Sequence, residues 1–524
     1  MKLNHGFFQR TWWIGLLLIS GIGIAIDLAL TSKGVGASGD SVWYLQGAEN
    51  LLKGIGYGIL RSDSFIPNKM YPPFFSISLA GLGLTGLPLL VIARFFNAAL
   101  LGFDIFMIGW LAYQLTHSPV ASILASAFVL LSFNILILHT WAMSEPLYIS
   151  LSILSFVLIY LFQQKGKPIH LYLAVFLAGL SVITRYIGIS LVMAVCLWTI
   201  LFGRTKFKLR LLDISIMVII GVLPTVIFLA ANSSQAHSAV GRAEILFRLI
   251  PKVNLAQLER ALLGWYSPIA GSGIPHKYLH ISIIVLLLIS VAPYILFIIP
   301  NNRFLEDRIG GLLRNQWLSI IYISLYFITM ILSISLSLTG NPTDSSQNQV
   351  LRYLVPIYPI FILFMTVMFY IYSWKLTSLR MIKFTPLAVG SLLLVLLLFN
   401  FIGQVKIPQS YGYTDIRNNH PDLVTQLKSI KPTRPIITNN YELVYFLIDR
   451  PVYSIPGKGD ELTGKPNPNY LQLMKKIDEL IAADGVIVLY GTSPEDTIQD
   501  QALLSDLHVI NSYSDITLYS ITGN

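Results

Sequence analysis

Apolar runs about as long as a bilayer is thick recur along this chain, and segments of that kind leave few folds open. Residues 16–30 and 281–300 are two of them. A membrane-spanning helix needs about 20 mostly apolar residues. A membrane β-barrel would instead alternate in segments of roughly ten residues. Composition agrees with helices: 54% of the 524 residues are hydrophobic and 12% are charged, against about 25% charged in soluble domains. An ordinary soluble enzyme, a disordered chain and a collagen-like fibre are excluded. The expected spans are 12–30, 88–115, 120–140, 146–163, 169–184, 186–202, 211–231, 280–300, 317–338, 353–373 and 385–403, about eleven transmembrane helices. The pair 169–184 and 186–202 is short and reads as a hairpin broken at Thr184, Arg185 and Tyr186. No small-residue cleavage site follows the first run closely, so it is expected to stay as an anchor. The single cysteine, Cys196, lies in an apolar run and can form neither an intrachain disulfide nor a cysteine metal site.

The net charge of +10 is unevenly spread. Residues 1–403 carry 26 Lys+Arg and 12 Asp+Glu, whereas residues 404–524 carry 10 and 14. An excess of basic residues can mark a nucleic-acid binder, but here it is topological. With the N-terminus inside, Lys165 and Lys167, Arg204 to Arg210, Arg303 to Arg314 and Lys375 to Lys383 all fall in cytoplasmic loops, and short outer loops are nearly free of them. Counting the apolar stretch 71–87 as a span would turn every later basic loop outward. It is therefore expected to lie at the outer surface or to dip in and return. The chain divides into a multi-spanning domain, 1–403, and an extracytoplasmic α/β domain, 404–524. In the latter, residues 434–439 and 485–490 read as buried strands, 470–483 as an amphipathic helix, and 507–513 with 515–521 as a closing strand pair. The expected location is the plasma membrane.

Residues that can carry chemistry gather in the outer turns. Asp40 opens an amphipathic stretch, 40–52, able to lie in the membrane surface. It is either an N-cap or a catalytic carboxylate at the water–lipid boundary. Glu145 stands between two apolar spans, with Pro146 at the favoured first helical position. It caps that helix or serves a site, since a carboxylate beside the bilayer is costly. Two such acids from separate turns can share magnesium or manganese, with His139 as a further ligand or a hydrogen-bonding interfacial residue. Arg94, Arg185 and Arg352 are candidate phosphate contacts, because a guanidinium matches phosphate oxygens in a planar fork. Snorkelling or ion pairing is the structural alternative. Asp104, deep in the span of Arg94, requires a partner. Lys69, Tyr71, Pro72 and Pro73 close the first outer loop with a rigid turn. His237, Arg242, His276 and Lys277, in the outer loop 232–279, can frame the same cavity.

The ordered set of Asp40 to Gly56, Tyr71–Pro72–Pro73, Ser144–Glu145–Pro146, Thr184 to Gly188 and Arg352 to Pro359 resembles the membrane-embedded GT-C glycosyltransferases. It is closest to the dolichyl-phosphate-mannose-protein mannosyltransferase-like group and its bacterial aminoarabinose-transferase relatives. Residues 438–456 resemble the outer domain of bacterial members. The resemblance implies a sugar taken from a polyprenyl-phosphate donor on the outer face and passed to a lipid, glycan or protein acceptor. It also implies Asp40 as general base or acceptor-orienting group and Glu145 as its helper or a metal holder. Lys69, Tyr71, Arg94, Arg185, Tyr186 and Arg352 become substrate contacts. Two departures stand out: a single acid in Gly39–Asp40–Ser41 where many relatives have two, and Tyr71 where many have lysine. The competing classes are a transporter or flippase of lipid-linked sugars, which needs charge along a path through the bilayer, and an inert scaffold.

Overall fold

The first 233 residues form helix after helix because their apolar stretches must satisfy every backbone N–H and C=O internally. The computed structural model describes residues 5–62, 64–68, 70–204, 206–233, 316–332, 352–375, 385–405, 407, 410–459, 466–491, 507–513 and 515–521. The helices are α1 (His5–Leu30), α2 (Gly39–Leu52), α3 (Phe74–Gly83), α4 (Leu89–Thr116), α5 (Pro119–Leu130), α6 (Phe133–His139), α7 (Glu145–Lys165), α8 (Pro168–Val182), α9 (Ile189–Phe202) and α10 (Phe207–Ser233). Helices Tyr358–Lys375 and Thr385–Gln404 follow.

Among the described residues five helical stretches are long and apolar enough to cross a membrane, and six if α5 and α6 count as one bent span. The expectation of about eleven is not reached there, and the reasons are local. The run 120–140 breaks by 60° between α5 and α6, where Ser132 accepts the Ile135 N–H and caps a new helix. Pro168–Val182 and Tyr186–Phe202 are separate short apolar helices. The run 280–300 lies outside the described residues, and 317–338 is described only to Leu332. The stretch 71–87 contains α3, ten residues long, about 15 Å at 1.5 Å per residue and too short to span.

The segment after Gln404 builds a five-stranded sheet from β3 (Ile436–Thr438), β4 (Tyr453–Ser454), β5 (Val486–Tyr490), β6 (His508–Tyr513) and β7 (Ile516–Ser520), in the order β4-β3-β5-β7-β6. Strands β4, β3 and β5 run parallel, while β5, β7 and β6 are antiparallel. Before it, β1 (Gly58–Leu60) and β2 (Phe65–Pro67) make a hairpin that ends the first loop. Helix Tyr441–Ile448, after β3, packs its Leu443, Val444 and Leu447 into the sheet's core.

That helix also changes the expected setting of α2. Instead of lying on lipid, α2 is held between α3 and helix Tyr441–Ile448, and its Ser41, Gln46 and Asn50 are buried. Gln46 bonds the Tyr441 hydroxyl at 3.2 Å, Tyr445 donates to Glu49 at 3.0 Å, and Asn50 donates to the Gly58 carbonyl at 2.8 Å. Burial of these polar groups is tolerated because each is paired. The helix start is also different from expectation. Ser38 is the N-cap, in a capping box with Ser41, so Asp40 stands one position inside the helix with its carboxylate uncommitted to capping.

Three distant segments interlace below this helix. Gly36 pairs with Trp141, and Ala37 pairs with Gly412. The Tyr413 N–H donates to the Ala37 carbonyl at 2.8 Å, and the Thr414 hydroxyl to the Val35 carbonyl at 2.6 Å. Gly412 has φ +59°, and a Cβ there would lie 2.2 Å from the Ala37 oxygen. Gly412→Ala is therefore expected to cost about 1–3 kcal/mol, read as a lower thermal midpoint and faster proteolysis of the first loop. An unchanged midpoint would contradict the interlaced arrangement.

Candidate active site

Four charged side chains from four places in the sequence meet where the apolar helices end. Asp40 comes from the first turn of α2, and Glu145 opens α7. Arg185 lies in the turn between α8 and the 3-10 helix Tyr186–Gly188, whose N-cap it is. Arg352 opens the late span. An Arg352 terminal nitrogen reaches Asp40 Oδ2 at 2.7 Å, and its Nε donates to Glu145 Oε1. Arg185 reaches the same Glu145 oxygen at 2.7 Å. The burial is graded: Glu145 has 0% of its side chain exposed, Arg185 12%, Arg352 25% and Asp40 27%. A fully buried carboxylate with two guanidiniums is the arrangement in which charge survives away from water. The half-open end of the cluster is Asp40 and Arg352.

Neutral donors complete the frame. The Tyr71 hydroxyl donates to Asp40 Oδ1 at 2.7 Å. Burial first, then the neighbouring Asp40 charge, holds the Tyr71 phenol well above its usual range, so it stays protonated and keeps donating. Tyr71 is itself fixed by Asn68, whose Oδ1 accepts the Tyr71 N–H at 3.0 Å, and by Tyr57, whose hydroxyl donates to the Tyr71 carbonyl at 3.0 Å. The turn is tied to the Arg185 segment, since the Phe74 N–H donates to the Ile183 carbonyl at 2.9 Å. Ser144 bonds the Tyr44 hydroxyl at 3.0 Å and accepts from Arg185 at 3.4 Å. Tyr44 is not singled out by the sequence, although it lies one helical turn beyond Asp40, whereas Ser144 belongs to the Ser144–Glu145–Pro146 motif.

Two expected site residues stand elsewhere. Arg94 donates to the Leu28 carbonyl at 2.7 Å and to the Thr31 hydroxyl at 3.1 Å, so its guanidinium closes the C-terminal end of α1. His139 is fully buried with Nδ1 on the Ile135 carbonyl at 2.8 Å and Nε2 3.4 Å from Asp104 Oδ2. The Ser150 hydroxyl donates to the other Asp104 oxygen at 2.6 Å. His139 and Ser150 are thus the partners Asp104 requires, and His139 is an intramembrane pair rather than a ligand beside Asp40. Tyr186 occupies the 3-10 turn next to Arg185. Lys69, His237, Arg242, His276 and Lys277 lie outside the described residues.

The donor set does not fit a cation shared by Asp40 and Glu145. Arg352 sits between the two acids, and with Arg185 it already balances both negative charges. A divalent ion beside two guanidiniums would be repelled. Among the described residues no three His, Cys, Asp or Glu side chains are grouped to hold a metal.

No protein-family model matches the chain, and no curated protein matches it by sequence. Solved structures do match in shape. ArnT from Cupriavidus metallidurans in the apo state superposes with a TM-score of 0.61 at 12% identity, over 98% of this chain and 99% of that one. The same enzyme bound to undecaprenyl phosphate gives 0.59 at 14% identity, over 97% and 98%. The archaeal oligosaccharyltransferase AglB from Archaeoglobus fulgidus, in complex with an inhibitory peptide and a dolichol-phosphate, gives 0.53 at 11% identity, over 92% of this chain and 70% of that one. This chain has the GT-C fold. The likeness in shape to ArnT extends over 98% of this chain, so it takes in the apolar helices and the C-terminal sheet together.

A buried ion cluster of this kind has a measurable signature. Arg185→Met, which leaves Glu145 with one cation, is expected to destabilise the protein by about 3–5 kcal/mol. Adding Glu145→Leu should recover much of that loss, because the stranded charge is then gone. Thermal denaturation of the two single variants and the double variant closes the cycle, and simple additivity would contradict the pairing.

Proposed function

We propose that this protein is a membrane glycosyltransferase that moves a sugar from a polyprenyl-phosphate-linked donor to a hydroxyl of a lipid, glycan or protein acceptor on the outer face of the membrane. The observation that carries the reading is the joining of Asp40 and Glu145 through Arg352, with Arg185 behind, at the ends of apolar helices. A polyprenyl donor keeps its tail in lipid and its phosphate at the boundary, where these guanidiniums stand. The structural neighbours bound to undecaprenyl phosphate and dolichol-phosphate support the carrier class.

The chemistry follows from the charges. The acceptor oxygen attacks the anomeric carbon from the face opposite the phosphate. The new C–O bond forms as the carbon–phosphate-oxygen bond breaks, and the anomeric centre inverts. The acceptor proton passes to an Asp40 oxygen. The bonding pair leaves with the phosphate, whose added negative charge Arg352 and Arg185 stabilise. In this reading the guanidiniums take the role expected of magnesium or manganese.

Arg352 links the two halves of the reaction. While it holds Asp40 Oδ2, that oxygen is engaged in an ion pair. A donor phosphate competes for the same guanidinium, so donor binding and release of the base are coupled. Glu145, paired twice and fully buried, keeps the arginines aligned and does not itself take the proton. Tyr71 fixes the orientation of Asp40.

A sugar-transfer assay with a polyprenyl-phosphate-linked donor tests this. Asp40→Asn is expected to lower kcat by about 10²–10⁴, the usual contribution of a general base, with the protein still folded and the donor still bound. Glu145→Gln is expected to raise the donor KM as the arginines lose alignment. Full activity in both variants would sink the assignment.

A further inference from the structure

Asp40 has two dissimilar flanks. Toward the apolar helices it meets Arg352, with Arg185 beyond Glu145. Toward the C-terminal sheet it meets a wall in which, among the described residues, Glu442 and Tyr413 lie against the helix turn. Glu442, the second residue of helix Tyr441–Ile448, accepts from the Trp43 indole N–H through Oε1 at 3.1 Å. Trp43 lies three residues after Asp40 on the same helix. Gly39, just before Asp40, faces this wall: a Cβ there would lie 3.8 Å from Glu442 Cγ and 3.8 Å from the Tyr413 hydroxyl. Glu442 and Tyr413 thus touch the first turn of α2.

The wall is aromatic as well as acidic. The Trp43 ring is 6.0 Å from that of Tyr71, which binds Asp40, and the Tyr413 ring is 6.0 Å from Phe446. Trp43 and Tyr413 remain partly exposed. The nearby cations are spent on ring faces, Arg61 over Tyr441 at 5.3 Å and Arg417 over Phe446 at 5.0 Å. Among the described residues Glu442 Oε1 has Trp43 as its hydrogen-bond donor, and Oε2 has none. Glu442 is partly exposed, so Oε2 is open to solvent and free to accept from a ligand hydroxyl.

We infer that Glu442 determines acceptor specificity, and that the acceptor is an uncharged sugar whose ring lies against Trp43 and Tyr413 and donates a hydroxyl hydrogen bond to Glu442 Oε2. This rests on the transferase reading above and narrows its acceptor to a glycan. Aromatic faces pack the C–H face of a sugar ring, and a carboxylate accepts from its hydroxyls in a charge-assisted bond. The same carboxylate repels an anionic acceptor. The two flanks therefore sort their ligands by charge, phosphate to the arginines and neutral polyol to Glu442, with Asp40 between them to take the proton. Glu442 does not act on the reacting atoms and is a specificity residue.

The test uses the full-length protein in lipid nanodiscs. Binding of uncharged trisaccharides of mannose, galactose and glucose, each beside its terminally phosphorylated form, is measured by equilibrium dialysis. At least one uncharged sugar should bind saturably and about tenfold or more tighter than its phosphorylated form. E442Q keeps an oxygen for the Trp43 indole but removes the charge. It should weaken the uncharged sugar by about tenfold, the usual loss for a charge-assisted hydrogen bond. E49Q, at the neighbouring Tyr445 contact, should leave binding unchanged. No saturable binding of any uncharged sugar, equal or tighter binding of the phosphorylated forms, or wild-type affinity in E442Q overturns the inference. Donor turnover on the same preparations separates the two claims. Turnover without sugar binding overturns this inference alone, and sugar binding without turnover of polyprenyl-phosphate donors overturns the transferase reading.

Discussion

One guanidinium between two carboxylates organises this molecule. Arg352 begins a helix far along the chain, yet its partners are Asp40, after the first long apolar helix, and Glu145, at the start of α7. Both acids take that cation as an ion-pair partner. The cation in turn needs both acids to leave water. Mutual dependence of this kind favours a single arrangement, because every alternative leaves a charge stranded in a low-dielectric setting. The short turn at Tyr71 and the 3-10 turn at Tyr186 supply the remaining contacts, and one hydrogen bond from the Phe74 N–H to the Ile183 carbonyl ties the two turns together.

The C-terminal sheet belongs to the same construction. Its helix Tyr441–Ile448 sets three side chains, Tyr441, Glu442 and Tyr445, against Gln46, Trp43 and Glu49. On α2 the three partners, Trp43, Gln46 and Glu49, recur every three residues along one face, so the contacts fix rotation as well as distance. The orientation of Asp40 is thereby determined from two directions, by ions on the membrane side and by hydrogen bonds on the sheet side.

Much of this was legible in the residues because charge beside an apolar run is conspicuous. Asp40, Glu145, Arg185 and Arg352 stand out for that reason, and the structure brings them together. Arg94 stands out equally, but no local pattern distinguishes a guanidinium that closes a helix end from one that meets an acid. For His139 the sequence leaves ligation and hydrogen bonding both open, because the bend between α5 and α6 that sets it beside Asp104 does not show in a linear pattern. Glu442 was invisible for the opposite reason: in a polar segment one more acid carries no signal. The strands β3, β5, β6 and β7 were readable from their apolar runs, whereas β4, two residues long, was too short to register.

The interlaced backbone around Gly412 bears on biogenesis. Val35 and Thr414, bonded to each other, are 379 residues apart. A nascent chain exposes the first of these segments long before the ribosome has made the second. Closing so long a loop is slow to reward. The first connection must therefore wait at the bilayer, unfinished, through almost the whole of synthesis. A newly inserted protein gains its reactive geometry only when the last part of the chain has emerged and docked, so incomplete translation products carry the apolar helices without an assembled centre.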